Sequence, residues 1–226
     1  MSYFITGTDT GIGKTLISCA LLHAFATQGK RVVGMKPVAA GCADGGQHDD
    51  TKQLCAASNV LASGGQINPY CFTQAVAPLL AAQFAGVRIN FARIVESFSE
   101  LSAQADVVIV EGVGGFRVPL NPDLDSADLA QQLGLPVILV VGMRLGCLNH
   151  ALLTAEAIAV RGLTLAGWVA NVLDADMAML NENIATLQQR LDAPLLGVVP
   201  YQTQPDARVA ASFLDMALLG QAEMHD

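Results

Sequence analysis

Apolar and polar residues along this chain come in blocks rather than in strict alternation. Solid runs dominated by Val, Ile and Leu occupy 2–6, 31–35, 106–110, 136–141, 164–170 and 195–199, and each is predicted as a strand. Continuous apolar strands are those buried on both faces, as in a parallel sheet covered by helices. Amphipathic stretches between them predict helices at 14–28, 50–58, 91–104, 147–161, 178–190 and 207–219. The expected architecture is therefore α/β, a doubly wound, mostly parallel sheet with helices on both faces. Ligands in such sheets bind outside the carboxyl ends of the strands. The least regular part, 40–90, holds Gly45-Gly46, Gly64-Gly65 and Asn68-Pro69. It reads as loops and short helices capping the site, so that 1–226 is expected to form a single domain.

The first strand runs into Gly7-Thr8-Asp9-Thr10-Gly11-Ile12-Gly13-Lys14-Thr15 and then directly into a helical run beginning at Leu16. Strand, glycine-rich turn and helix start together cradle a polyphosphate. Backbone N–H groups from Gly11 to Leu16 face phosphate oxygens, the helix N-terminus adds partial positive charge, Lys14 reaches the outer phosphates and the Thr15 hydroxyl suits Mg²⁺. The usual pattern G-x-x-x-x-G-K-[ST] puts its first glycine at position 8, where this chain has Thr8, with Gly7 as the nearest glycine. A glycine-rich turn with a surface lysine is the alternative, and the flanking strand and helix argue against it.

Other strand ends add chemistry. Lys36 follows strand 31–35 and either faces the same phosphates as Lys14 or stands as an exposed strand-end lysine. Strand 106–110 leads to Glu111-Gly112-Val113-Gly114-Gly115, the place for a carboxylate that holds Mg²⁺, with glycines that admit substrate to the backbone. Either acid of Asp49-Asp50 can cap the helix that follows. Gly146-Cys147-Leu148-Asn149 opens a helix whose free N–H groups suit a carboxylate or phosphate. Asn171 and the Pro200-Tyr201 turn close two further strands and could frame a purine base.

Composition narrows the classes. The net charge of −8, with only 12 Lys and Arg, excludes a general nucleic-acid surface, so an anionic ligand must be held locally. Although 52% of residues are hydrophobic, no uninterrupted apolar run reaches the roughly 18 residues of a membrane span. Positions 1–10 lack the basic start of a signal peptide, and the chain reads as cytoplasmic. Cys19, Cys42, Cys55, Cys71 and Cys147 are odd in number, widely spaced and without a C-x-x-C pair, so reduced, mostly buried thiols are expected. His150, three residues beyond Cys147, makes a catalytic thiol conceivable, but no third partner is placed.

The motifs Gly7-Thr8-Asp9-Thr10, Gly13-Lys14-Thr15, Lys36-Pro37-Val38, Glu111-Gly112-Val113-Gly114-Gly115, Leu145 to Ala151, Gly167-Trp168-Val169-Ala170-Asn171 and Leu196-Gly197-Val198-Val199-Pro200 together resemble the dethiobiotin synthetase family of P-loop proteins. They span nearly the whole chain in the family's order and spacing. The resemblance implies an ATP- and Mg²⁺-dependent cyclo-ligase that makes the ureido ring of dethiobiotin from 7,8-diaminopelargonic acid and CO₂ in biotin biosynthesis. It implies that Lys36 holds the carbamate and γ-phosphate, with Lys14 on the phosphates and Thr10 beside the reacting groups. Thr15, Asp50 and Glu111 form the Mg²⁺ side, with Asp49 as the alternative register. Gly112, Val113 and Gly114 then lie along the nucleotide, and Asn171, Val172, Pro200, Tyr201, Gln202 and Asp206 receive adenine and ribose. Substrate contacts fall to Lys36, Ala40, Gly114 and, in a homodimer with shared sites, Gly146 to Asn149 of the neighbouring chain. Two departures from relatives are Ala40 in place of a hydroxyl residue and a tail before Asp206 that is one residue shorter than in some. Partitioning-type switch ATPases share such a sheet but carry a lysine five residues before the loop lysine, where this chain has Asp9. A small-molecule kinase is the third reading, separated from the first by transfer of phosphate to a released product.

Overall fold

Six strands, β1 (Ser2–Gly7), β2 (Val32–Met35), β5 (Val107–Glu111), β6 (Val137–Met143), β7 (Leu165–Val172) and β8 (Leu195–Val199), form one sheet in the order β2-β5-β1-β6-β7-β8. Every neighbouring pair is parallel. This is the computed structural model of the chain, and it describes residues 1–43 and 47–220; the Gly45-Gly46 pair lies outside them. The expected sheet is present, and the reason is visible in its burial: every residue of β2, β5 and β6 is buried. Alternate side chains feed opposite layers, as a pleated strand requires. Ile5, Ile138 and Val140 pack with α1 (Lys14–Thr27), α2 (Asp49–Ala57) and α9 (Ala207–Ala211). Phe4, Val108 and Val110 point the other way, to α5 (Phe91–Gln104) and α6 (Ser126–Leu133). Leu139, Val141 and Trp168 pack with α7 (Cys147–Val160) and α8 (Leu180–Arg190).

The region 40–90 is more ordered than expected. Besides α2 it contains α3 (Gly64–Ile67), α4 (Pro78–Phe84) and a two-stranded parallel sheet of β3 (Val38–Ala40) and β4 (Tyr70–Phe72). The expectation of five free thiols is corrected here, because Cys42 and Cys71 are joined in a disulfide while Cys19, Cys55 and Cys147 are free. The β3–β4 register sets Ala39 opposite Cys71 and carries Cys42 to within 6.1 Å of it, Cα to Cα. Helix α6 was not expected; an Asp125–Asp128 capping box starts it and Gly134 ends it. The expected helix 207–219 stops at Ala211, followed by a 3₁₀ turn at Met216–Gly220. The N–H of Asp215 donates to the carbonyl of Leu196 at 2.7 Å, drawing the chain onto β8.

Candidate active site

β1 and α1 frame the loop 8–13, with Gly11 (φ 73°) and Gly13 (φ 90°) in the left-handed region. Thr8 needs no such freedom. Its N–H donates to Val140 O at 3.1 Å, so the off-pattern residue, the first beyond β1, is still held against β6. Asn171, at the end of β7, is buried and its Nδ2 donates to Ile12 O at 2.8 Å. A Cβ on Gly13 would overlap that same amide nitrogen. The Asn171 side chain therefore braces the loop from beneath. Lys14, the first residue of α1, is buried and donates to Asp9 O at 2.8 Å. Burial, then the charge of Lys36, lowers its pKa to about 8. The Asp9 carboxylate accepts the N–H of Thr10 at 2.7 Å and pairs with Arg144, which precedes α7. Its pKa is lowered, first by the Thr10 N–H.

At the carboxyl end of β2, Lys36 is fixed by its backbone. Its N–H donates to Ile67 O at 2.8 Å and its carbonyl accepts Asn68 Nδ2 at 2.6 Å. Pro37 then ends the strand, having no N–H to continue a ladder. The buried ammonium lies 2.6 Å from Glu111 Oε1, 2.8 Å from Asp50 Oδ2 and 3.2 Å from Gly112 O. Burial opposes its charge, but the two carboxylates outweigh burial and its pKa is raised. Asp50 shows the converse, with burial opposing ionisation and Lys36 winning, so that its pKa is lowered. The Thr15 hydroxyl donates to Glu111 Oε1 at 2.9 Å. Glu111 Oε2 is buried with no hydrogen-bond partner in the structure.

Neither acid of the Asp49-Asp50 pair is the N-cap. His48 is, its Nδ1 accepting the N–H of Asp50 at 3.2 Å, which places both acids in the first turn of α2. Asp50 faces Lys36, whereas Asp49 is exposed and pairs with Lys52. The adjacent cavity, about 890 Å³, is polar on one side, with Lys14, Thr15, Lys36, Asp50 and Glu111. Its other side is apolar, formed by Ala40, Ala75 to Pro78, Val113 and Val118. Thr10 and Gly114 also line it, and a Cβ on Gly114 would sit 3.4 Å from Thr10 Oγ1. The remaining expected residues stand apart from this cavity. Gly146 to Asn149 open α7 outside it, and Cys147 is buried with its Sγ 3.9 Å from Asn183 Oδ1. Val172 is buried in β7, whereas Pro200 and Tyr201 are exposed beyond β8. Gln202 Oε1 accepts the N–H of Asp206 at 2.8 Å, and the Asp206 carboxylate caps α9 through the N–H groups of Arg208 and Val209.

A family model described as an AAA domain matches residues 1–208. The ATP-dependent dethiobiotin synthetase BioD of Nitrosospira multiformis is 56% identical over 220 residues, covering 97% of each chain. That of Aromatoleum aromaticum is 59% identical over 215 residues, covering 93% of this chain and 96% of the relative. The chain belongs to the dethiobiotin synthetase family. Among solved structures, the MinD cell division protein of Aquifex aeolicus aligns with a TM-score of 0.58 at 12% identity, over 100% of this chain and 97% of that one. Cell division protein FtsY of Thermotoga maritima aligns at 0.53 and 16% identity, over 97% of this chain and 68% of that one. At such identities these likenesses concern the fold alone.

Within this family member three features of the site were not legible beforehand. Asn68 clamps the Lys36 carbonyl, His48 orients the helix carrying Asp50, and residues 75–78 form the apolar wall. The Asn68-Pro69 pair signalled only a turn, and a histidine cap has no sequence signature apart from its place before a helix.

Proposed function

We propose that this chain closes the ureido ring of dethiobiotin from 7,8-diaminopelargonic acid and CO₂, converting ATP to ADP and phosphate. The observation that carries this reading, beside family membership, is Lys36 held between Glu111 and Asp50 where β1, β2 and β5 end beside the phosphate loop. In the reaction one amine attacks CO₂ and loses a proton, giving a carbamate. A carbamate oxygen attacks the γ-phosphorus and expels ADP, and the second amine then attacks the carbonyl carbon, loses a proton and expels phosphate. Positioning and neutralisation of charge supply the rate. Lys14 and the 11–16 backbone take the phosphates, Lys36 turns from its carboxylates to the carbamate and γ-phosphoryl oxygens, and Thr10 lies beside them. Asn171, Val172 and the Pro200 to Gln202 turn receive the base, with Asp206 on the ribose side. The reading is tested by incubating the protein with ATP, bicarbonate and the diamine. The expected product gains one carbon and one oxygen and loses two hydrogens relative to the diamine, by mass.

The residues present also fit Mg²⁺. Among the described residues no cluster of three His, Cys, Asp or Glu forms. Two carboxylates and a hydroxyl do converge, and the unpartnered Glu111 Oε2 is an oxygen in want of a cation. Hard oxygen donors that leave positions for phosphate and water suit this ion. Bound there, it would neutralise charge on the β- and γ-phosphates, with Thr15, Asp50 and Glu111 as its protein side. Glu111→Gln keeps the shape and removes the charge, so the Mg²⁺ needed for half-maximal rate should rise by about tenfold or more, as for loss of a charge-assisted contact of this kind. An unchanged Mg²⁺ titration would remove Glu111 from the metal side.

The lowered Lys14 pKa gives a pH signature. Phosphate beside the ammonium favours its charged form, so nucleotide binding should take up a proton once pH rises past about 8, and affinity should fall there. Calorimetry in buffers of different ionisation heat measures that uptake; proton release instead would contradict the role.

We further propose one domain over 1–226, a cytoplasmic protein, and a homodimer with the substrate carboxylate bound at Gly146 to Asn149 of the neighbouring chain. The helix start offers unpaired N–H groups, and α7 exposes Leu153 and Val160 with Leu145 just before it. No helix among the described residues is long and apolar enough to cross a membrane. Shared sites predict rescue: mixing Asn149→Ala with Lys36→Gln protein, under subunit exchange confirmed by mass, should restore one working site per mixed dimer. No rescue would place the carboxylate site within one chain.

A further inference from the structure

Two apolar segments bordering the cavity meet at one covalent bond. β3 supplies Ala39 and Ala40 to the cavity, and the segment after β4 supplies Ala75 to Pro78. These two strands pair over only three residues, Val38 with Tyr70, Ala39 with Cys71 and Ala40 with Phe72. So short a two-stranded sheet is marginal by itself. Just past it, the N–H groups of Gly41 and Cys42 both donate to Phe72 O at 2.9 Å, and the Cys42–Cys71 bond fastens the same point. The bond spans 29 residues and closes a ring through α2 and α3. That ring contains Asp50, which faces Lys36, and Asn68, which clamps the Lys36 carbonyl. The phosphate loop and Lys14 lie outside it, rooted in the central sheet.

The two sulfurs differ in access. Cys71 is exposed, whereas Cys42 is buried. A thiolate arriving from solvent therefore meets Cys71 first.

We propose that Cys42–Cys71 is a thiol-exchange site, open to small dithiols and dithiol proteins, whose state sets the rigidity of the acceptor side of the active site. One thiolate of the dithiol attacks Cys71 Sγ and expels the Cys42 thiolate, which takes up a proton. The second thiol then attacks the mixed disulfide and releases Cys71. Two electrons and two protons pass from the dithiol, which leaves as its own disulfide. Opening the ring restores chain freedom to α2, α3 and the wall after β4, because a cross-link limits the states a segment can reach. The oxidised form is then the ordered one, with Asp50, Asn68 and 75–78 held for the second substrate; this consequence rests on the ring-closing reading above.

The test compares the full chain oxidised in air with the same protein treated with dithiothreitol, the two states being counted by alkylation and mass. Hydrogen exchange should quicken in peptides covering 38–43 and 70–78 on reduction and stay unchanged over 8–16. The KM for the diamine should rise several-fold, while nucleotide affinity measured in a chelator stays constant. Cys42→Ser and Cys71→Ser should each behave as the reduced form and ignore dithiothreitol. Equal exchange rates and equal diamine KM in the two verified states would overturn the inference, as would failure of the cysteines to join under a mild oxidant such as oxidised glutathione. A change in exchange without any ring-closing activity in either state would instead count against the proposed reaction and leave the thiol-exchange site supported.

Discussion

Lys36→Gln should lower the rate of ring closure by about a thousandfold or more, the scale on which cationic groups that meet transition-state charge in phosphoryl transfer act. The structure gives two independent reasons. Lys36 is the buried cation nearest both carboxylates that would flank the γ-phosphate, and its backbone is pinned on both sides by Ile67 O and Asn68 Nδ2. A glutamine cannot supply the charge. Removing it also takes the nearest cation from the buried Glu111 and the partly buried Asp50, a change that costs up to about 3–5 kcal/mol where such a pair is fully buried. Melting temperature must therefore be measured alongside rate. Lys36→Arg separates the effects: it keeps the charge and the fold, but its planar fork does not reproduce a compact ammonium. A strong rate loss in Lys36→Arg with unaltered melting locates the defect in chemistry. Near-normal turnover in Lys36→Gln would remove the lysine from the reaction.

Gly13→Ala should abolish measurable ATP binding while the chain remains folded. Position 13 has φ 90°, where a side chain is strained, and the added Cβ would collide with the amide that holds Ile12 O. Strain of about 1–2 kcal/mol comes from the backbone alone, and displacement of Asn171 misdirects the loop N–H groups as well. Gly11→Ala is the control. Its φ is 73°, yet nothing lies within 4 Å of the added carbon, so only the strain remains. Fluorescent-nucleotide titration should show a much larger loss for Gly13→Ala than for Gly11→Ala. Equal losses would mean that Asn171 does not brace the loop.

The central sheet was legible because burial on both faces leaves an unbroken apolar run, as at Val107–Val110 and Val137–Val141. The phosphate loop was legible from its strand, glycine-rich turn and helix start, and the strand-end groups Lys36 and Glu111 from the rule that ligands gather at the carboxyl ends of parallel strands. What was hidden depended on long-range pairing. β3 and β4 are three residues each, too short for a period to register, and only their mutual register brings Cys42 to Cys71. The break after Ala211 arises because Gly197 lets the Phe213 carbonyl approach β8, where any Cβ would overlap it. Nothing in an apparently helical run from 207 to 219 discloses that contact. The choice between Asp49 and Asp50 likewise depended on the cap: His48 starts the helix one residue earlier than expected and turns Asp50, rather than Asp49, toward Lys36.

The most direct test of the account follows an oxygen atom. Ring closure through a carbamoyl phosphate requires that an oxygen brought in by CO₂ leave on phosphate, because the carbamate oxygen that attacks the γ-phosphorus stays on it when the second amine closes the ring. With [¹⁸O]bicarbonate, ATP, Mg²⁺ and 7,8-diaminopelargonic acid, the phosphate released should carry one ¹⁸O per ring formed, and both phosphate and ring product should vanish together in Lys36→Gln. Unlabelled phosphate released without any cyclic urea, or a phosphorylated diamine in its place, would contradict the account.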